Sequence, residues 1–523
     1  MLTKFIVVTG GVISGLGKGI TASSIGLLLQ NSGYSVTAIK IDPYLNIDAG
    51  TMSPHEHGEC YVLSDGGETD LDLGNYERFL NIDLLSSNNI TSGKVYRSVL
   101  DKERKGKYLG KTVQIVPHIT NEIQEMILYN TSPDIDVCII ELGGVIGDIE
   151  TLPFTKALSE LSLKYPDNFC FVHVSLIISN GEIKTKPTQY SVSQLRSLCI
   201  DPTFLILRCH DMLDSNIINK ISIHTHVKPE NIICNTDVKN IYYVPNIFHN
   251  QNIISKICNS LKLPFREPNM ENYYNVMSYF DNIPSDKSSI FTVGIVGKYL
   301  GSQDTYLSLI RAIEHASIRL NVYTDIKWIN SENVHDEDII SCNGIIIPGG
   351  FGSRGIIGKM RVAKICREND IPLLGICLGM QIMTCEYATN VCGINSKSEE
   401  WDNMYGDNIF HIFPNQTSVY GGTMRLGNYN VNIKDNTLLQ KSYDVLECAE
   451  RHRHRYEFNN DYKKILEDYG IIFSGICNDN GLVEVIELSD NKFYLGCQYH
   501  PEYKTKYNNP HPLFVAFISS LYK

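Results

Sequence analysis

Cys377 is the residue whose neighbours best fit it to act as a nucleophile. It stands in Pro372-Leu373-Leu374-Gly375-Ile376-Cys377-Leu378-Gly379-Met380-Gln381, a short apolar strand, a G-x-C-x-G turn and a helix start. This is the thiol counterpart of the nucleophile elbow, in which a sharp turn exposes the reactive side chain at a helix N-terminus. Such a terminus favours a thiolate and offers backbone N–H groups to an oxyanion. The blander reading is a buried cysteine between packing glycines. Far downstream, Gly496-Cys497-Gln498-Tyr499-His500-Pro501-Glu502 closes another strand, with His500 and Glu502 at spacing two. Both can point the same way. His500 can then take the Cys377 proton while Glu502 orients the imidazole, the roles of a Ser-His-Asp triad. A lone His-Pro-Glu would read as an ordinary loop.

A second chemistry lies near the start of the chain. An apolar run leads straight into Gly10-Gly11-Val12-Ile13-Ser14-Gly15-Leu16-Gly17-Lys18-Gly19 and then a helix-like segment. A glycine-rich turn between strand and helix wraps a phosphate with N–H groups, and the helix terminus and a lysine add positive potential. The alternative is a tight turn with a surface lysine. The loop departs from a standard Walker A sequence, because Val12 replaces the first glycine and Gly19 follows Lys18. No hydroxyl beside Lys18 can hold a magnesium ion, so carboxylates elsewhere must. Candidates are Asp70-Leu71-Asp72-Leu73-Gly74, with acids at spacing two, and Glu141, which ends the run 137–140 before Gly143-Gly144. A carboxylate at the mouth of a buried strand is costly unless it is paired or bound.

The elements that position these residues follow an α/β pattern of short apolar runs between helix-like segments. Strands are predicted at 4–9, 35–41, 136–142, 169–178, 204–208 and 232–234, with a helix over 19–31. From 264 to 289 a polar stretch punctuated by Pro264, Pro268 and Pro284 suggests a linker. A second series follows, with strands at 291–296, 325–329, Gly344–Ile347 and 372–376, and helices over 306–320 and 358–367. We therefore expect three segments: a first domain at 1–265, a linker at 266–289 and a second domain at 290–523.

The blocks between these motifs resemble the CTP synthase family. They include Lys40-Ile41-Asp42-Pro43-Tyr44-Leu45-Asn46, Gly50-Thr51-Met52-Ser53-Pro54-His55-Glu56-His57-Gly58-Glu59 and residues 67–74. Leu142-Gly143-Gly144-Val145-Ile146-Gly147-Asp148-Ile149-Glu150 and Gly181-Glu182-Ile183-Lys184-Thr185-Lys186-Pro187-Thr188-Gln189 continue the family's order and spacing. The resemblance implies a P-loop-like, doubly wound parallel-sheet synthetase domain and a class I glutamine amidotransferase α/β domain. It implies ATP-dependent amination of UTP to CTP, with ammonia from glutamine, activation by GTP and inhibition by CTP.

The same resemblance assigns residues to roles. Gly15, Leu16, Gly17, Lys18, Gly19 and Ile20 would hold ATP, with Arg208, Asp237 and Val238 beside it and Asp72 and Glu141 on Mg2+. Ser14, Asp148, Ile149, Glu150, Lys184, Thr185, Lys186, Pro187, Thr188, Gln189 and Lys220 would bind UTP or CTP. Lys18 and Lys40 would neutralise the phosphoryl group in transfer. In the second half, Pro348-Gly349-Gly350-Phe351-Gly352 would be the oxyanion loop, with Gly350 and Leu378 donating. Gln381 and Arg455 would hold glutamine, together with Glu399 or, by preference, Glu400, which precedes Trp401 in Ser398-Glu399-Glu400-Trp401. Gly421-Gly422-Thr423-Met424-Arg425-Leu426-Gly427 matches the segment linked to GTP activation, through Thr423 and Arg425. Ammonia would pass Pro54 and His57. Leu307 stands where many members carry lysine, and Lys239 replaces an acid after Asp237-Val238. A homotetramer, with filaments open, belongs to the same expectation.

Composition narrows the field. A formal net charge of -12 repels nucleic acid and anionic membrane over most of a surface, so neither is an expected partner. Fifteen cysteines, an odd number scattered through apolar runs without C-x-x-C spacing, indicate reduced thiols, with no disulfide framework or zinc site. The opening apolar run is too short for a signal peptide, and no run approaches the ~18 apolar residues of a membrane span, so a cytoplasmic address is expected. Two rivals stand beside the resemblance: an amidotransferase of the cobyric-acid type, and a catalytically silent filament or nucleotide sensor. The Lys184-Thr185-Lys186-Pro187-Thr188-Gln189 block argues against the first and the retained triad and lysines against the second.

Overall fold

The computed structural model describes residues 3–179, 181–298, 300, 303–413 and 422–522. They form two units, the first of 1–48 and 75–280, the second of 49–74 and 281–523.

The first unit is built on a seven-stranded sheet. Its strands are β1 (Lys4–Gly10), β2 (Val36–Asp42), β3 (Asn89–Thr91), β4 (Val137–Leu142), β5 (Phe169–Leu176), β6 (Phe204–Cys209) and β7 (Ile232–Thr236). The order is β7-β6-β5-β1-β4-β2-β3, and every pairing is parallel. All six residues of β4 are buried, as expected of a parallel strand with both faces covered by helices. The chain leaves β1 toward β2 on one side and β5 toward β6 on the other. The carboxyl ends of β1 and β5 therefore flank a topological switch, where doubly wound sheets collect ligands.

The second unit carries a nine-stranded sheet of β8 (Ile290–Gly297), β9 (Tyr323–Asn330), β10 (Gly344–Ile347), β11 (Leu373–Ile376), β12 (Arg425–Ile433), β13 (Glu447–His454), β14 (Ile472–Cys477), β15 (Val483–Glu487) and β16 (Tyr494–Cys497). Its order is β9-β8-β10-β11-β16-β15-β14-β12-β13. The first five strands pair in parallel and the rest antiparallel. Alternate residues of one strand feed opposite cores: Ile345 and Ile347 join one buried cluster, Ile346 the other. The α/β class expected from the sequence is the architecture of both units.

Two segments sit differently from their sequence-based placement. Residues 49–74, expected within the synthetase domain, belong to the second unit. Polar contacts between distant residues hold them: Glu59 accepts from the Ser308 backbone N–H at 2.9 Å, Arg451 donates to Tyr61 Oη and the Val62 carbonyl at 3.1 Å each, and Arg453 pairs with Glu68 at 2.9 Å. The expected linker contains the helix Glu271–Asp281. Its Tyr273, Val276 and Tyr279 are buried, and Tyr273 Oη donates to the Tyr242 carbonyl at 2.6 Å.

Candidate functional site

Cys377 caps the helix Leu378–Asn390 in a conformation no ordinary residue prefers, φ 52° and ψ −103°. The fold imposes it. The Cys377 N–H donates to the Cys497 carbonyl at 2.7 Å, tying the end of β11 to β16. A methyl group at Gly375 would lie 2.7 Å from the Gly379 carbonyl carbon, and one at Gly379 would lie 3.1 Å from the carbonyl carbon of Ile347. Both glycines are thus set by the approach of helix to strand, which turns the thiol into a cavity of about 100 Å³. Pro54, Gly350, Phe351, Arg453, His500 and Glu502 also line it.

His500 Nδ1 lies 2.7 Å from Glu502 Oε1, and the ring stacks on Tyr503 at 5.0 Å. Nε2 is buried, with no hydrogen-bond partner among the described residues. Burial disfavours the charged ring, but the Glu502 and Cys377 charges outweigh it and push the His500 pKa up to about 10. The imidazolium is therefore the form at neutral pH, in the cavity that Cys377 also lines. Gly349 separates the loop from this pair, since a methyl there would lie 2.8 Å from His500 Cε1 and 3.6 Å from Cys377 Cβ.

The loop at 348–352 is held from two sides. Lys298 Nζ donates to the Phe351 carbonyl, and the Gly352 N–H donates to Glu400 Oε1 at 2.7 Å. Burial raises the Glu400 pKa, opposed by the hydrogen bond from Gly352 and by the charges of Lys298 and Arg455. Glu399 points elsewhere and accepts from the Ile412 N–H at 2.8 Å. Arg455 donates to Thr423 Oγ1 at 2.9 Å. Gln381 Nε2 lies 3.3 Å from Gln498 Oε1, and Gln498 Nε2 lies 3.6 Å from Cys377 Sγ.

Gln498 and Lys298 are contacts that the sequence reading did not single out. Gln498 had a signal, since it precedes His500 by two on the same extended segment and shares its side. Lys298, at the end of β8, had none. Arg425 is buried, with Glu484 at 2.7 Å and Glu457 at 3.6 Å, so its guanidinium is engaged inside the unit. Gly421, in the same motif, lies outside the described residues. Pro54 lines the cavity; His57, in the short helix Pro54–His57, is exposed and does not.

In the first unit the glycine-rich loop leaves β1 with Val12, Gly15 and Gly17 at φ 81°, 72° and 86°. A β-branched residue in the left-handed region is strained, a common feature of ligand-gripping loops. Gly17 caps the helix Lys18–Asn31, and Lys18 Nζ donates to the Gly144 carbonyl at 2.9 Å. Leu16 is buried and Ser14 exposed, while Gly19 and Ile20 continue the helix.

Lys40 on β2 meets Glu141 on β4 at 2.9 Å, both buried, and Tyr76 also donates to Glu141. Asp72 lies in the first turn of the helix Leu71–Leu80. Asp148 precedes the turn Ile149–Thr151, with Ile149 and Glu150 exposed. Lys184 sits on an exposed hairpin strand, and Lys186, Pro187, Thr188 and Gln189 open the helix Lys186–Ser197. Gln189 Nε2 donates to Thr185 Oγ1 at 3.0 Å. At the end of β6, Arg208 pairs with Asp237 at 2.8 Å, and Val238 follows. Lys220 is exposed on the helix Ser215–Thr225.

The family model of the CTP synthase N-terminus matches residues 4–263, and that of class-I glutamine amidotransferases matches residues 302–520. A CTP synthase of Hydrogenobaculum sp. is 47% identical over 527 residues, covering 99% of this chain and 98% of its own. That of Methanocaldococcus jannaschii is 46% identical over 534 residues, with coverages of 99% and 98%. Among solved structures, the glutaminase domain of a Trypanosoma brucei CTPS with bound acivicin is 33% identical. It has a TM-score of 0.42 and covers 44% of this chain and 94% of that one. A class I glutamine amidotransferase half and a synthetase half in one chain define a glutamine-dependent ligase. The chain belongs to the CTP synthase family.

Proposed function

We propose that the chain converts UTP to CTP, consuming ATP and glutamine and releasing ADP, phosphate and glutamate. The Cys377 thiolate attacks the glutamine carboxamide, and the developing oxyanion is met by the N–H groups of Gly350 and Leu378. Imidazolium His500 gives its proton to the departing ammonia, leaving a thioester that water hydrolyses with His500 as base. Glu400 and Arg455 fit the ammonium and carboxylate ends of glutamine. In the other unit the γ-phosphoryl of ATP passes to O4 of UTP; ammonia then attacks C4 and phosphate leaves. Lys18 and Lys40 act by charge in that transfer.

Mg2+ fits the donor chemistry. Glu141 is a buried carboxylate at the carboxyl end of β4, and magnesium takes one or two carboxylates together with substrate phosphates. Glu141 would hold it, and it would neutralise phosphate charge. Residues 184–189, Ser14, 148–150 and Lys220 are proposed for UTP or for inhibitory CTP, and the loop with Arg208, Asp237 and Val238 for ATP. GTP activation would act through Thr423, which touches Arg455; Arg425 would contribute through its buried ion pairs. The ammonia route past Pro54 and His57, a homotetramer and a cytoplasmic setting complete the proposal. Among the described residues no helix is long and apolar enough to cross a membrane.

The observation that carries this reading is the Cys377 elbow facing a His500–Glu502 pair in the same chain as a strained phosphate loop. The test is CTP formation from UTP, ATP and Mg2+, with glutamine plus GTP or with ammonium. The parent should use both nitrogen sources and Cys377→Ala only ammonium. Folded protein that makes no CTP from either source would overturn the assignment.

A further inference from the structure

A hydrogen-bond chain crosses the middle of the first unit's sheet. Thr9, near the end of β1, places Oγ1 2.8 Å from Nδ1 of His173 on β5. Nε2 of the same ring lies 2.5 Å from Oγ of Ser191, on the helix Lys186–Ser197. Thr9 and His173 are fully buried, and Ser191 is 3% exposed. The strands are neighbours at the topological switch, with Thr9 paired to His173 in register.

The two ends of this chain belong to two different sites. Thr9 runs directly into Gly10 and the phosphate loop. Ser191 lies one turn beyond Lys186, Pro187, Thr188 and Gln189. The same helix is pinned again to the end of β5, where Thr188 Oγ1 donates to the Leu176 carbonyl at 3.1 Å. Gly11 rests on the junction, since a methyl there would lie 2.8 Å from Ser191 Cβ and 3.2 Å from His173 Nε2. Its N–H donates to the Val174 carbonyl on β5 at 3.2 Å. Burial, with the Lys18 charge, pushes the His173 pKa down to about 3. The ring is thus neutral at working pH and offers one donor and one acceptor nitrogen, one to each hydroxyl.

We propose that His173 is a positioning residue that locks the phosphate loop and the helix Lys186–Ser197 to each other, so that the ATP and UTP sites are set jointly. The proposal rests on the reading that the loop takes ATP and residues 184–189 take UTP. Phosphoryl transfer from one nucleotide to the other needs the reacting atoms within about 3–3.5 Å and in line, so relative placement of the two sites controls the rate. A histidine that only filled space would not link them.

The experiment is ammonium-dependent CTP formation by the full chain, with KM measured for ATP and for UTP. Removing one buried hydrogen bond should change affinity by roughly threefold to tenfold. Thr9→Val should raise the KM for UTP as well as ATP, and Ser191→Ala the KM for ATP as well as UTP. The double variant should fall short of the product of the single effects, as for residues in one network. His173→Asn keeps a polar atom near Nδ1 and His173→Gln one near Nε2. Each should give a partial defect in both KM values, and they carry the test if His173→Leu does not fold. Changes confined to the adjacent nucleotide and multiplying in the double variant would overturn the proposal. Lys18→Ala and Lys186→Ala separate the two levels. If these leave the KM for ATP and UTP unchanged, the site reading falls and the proposal with it; if they act while Thr9 and Ser191 stay independent, only the link falls.

Discussion

Gly349→Ala probes the glutaminase geometry with a single methyl group. Its carbon would sit 2.8 Å from His500 Cε1 and 3.6 Å from Cys377 Cβ. Carbon atoms settle at about 3.5–4.0 Å, so roughly 0.7 Å of separation must be created. The imidazole cannot yield freely, because Glu502 holds Nδ1 at 2.7 Å and Tyr503 stacks on its face. The loop cannot yield freely either, with Lys298 on the Phe351 carbonyl and Glu400 on the Gly352 N–H. Whichever side moves, His500 or the Gly350 N–H leaves its place. A misplacement of 1 Å costs about 10²-fold in rate, so a loss of roughly 30- to 100-fold is expected. Overpacking should also destabilise by about 1–3 kcal/mol. The assay is CTP formation with glutamine against CTP formation with ammonium, alongside thermal unfolding. Glutamine-dependent activity should fall by that factor and ammonium-dependent activity stay within about twofold. A folded variant that keeps its glutamine-dependent rate would refute the placement of His500 and the loop.

Three further outcomes follow from the same geometry. Glu502→Gln removes the charge that holds His500 protonated against burial, so its pKa should drop and glutamine hydrolysis fall by about 10⁴-fold, read from the pH profile of kcat/KM. Glu457 is raised to about 8 by burial, with Arg425 opposing and Glu484 adding. Because that folded value lies above the ordinary carboxylate value, stability is fully present below about pH 4.5 and is lost as pH rises toward 8. Glu457→Gln should flatten the fall in Tm across that window; a Tm profile unchanged by the substitution would contradict it. Lys40→Met strands the buried Glu141 carboxylate, which should lower stability by about 3–5 kcal/mol and abolish CTP formation from either nitrogen source.

The sequence revealed most where one local signal decided the outcome. The glycine-rich loop lies between a largely apolar strand and a helix, and strand and helix bounds fell within a residue or so, as with β1 and the helix Lys18–Asn31. The Cys377 turn was legible because its glycines answer a close approach of backbone to backbone. The helix Glu271–Asp281 was not, because prolines and polar residues surround it and its aromatic face is stabilised by the Tyr242 region. Residues 49–74 joined the second unit through Glu59, Tyr61 and Glu68, whose partners lie hundreds of residues away and leave no periodic pattern. Strand alternation places Arg425 inward or outward but says nothing of Glu484 waiting beside it. Glu399 and Glu400 were separable only by their different partners, Ile412 and Gly352.

The most direct test follows a nitrogen atom. The parent enzyme and Cys377→Ala are given UTP, ATP, Mg2+ and GTP, glutamine labelled with 15N at the amide, and unlabelled ammonium. The mass of the CTP formed is then measured. The account predicts 15N in the exocyclic amine of CTP from the parent, and unlabelled CTP from the variant. Labelled CTP from Cys377→Ala, or none from an active parent, would contradict it.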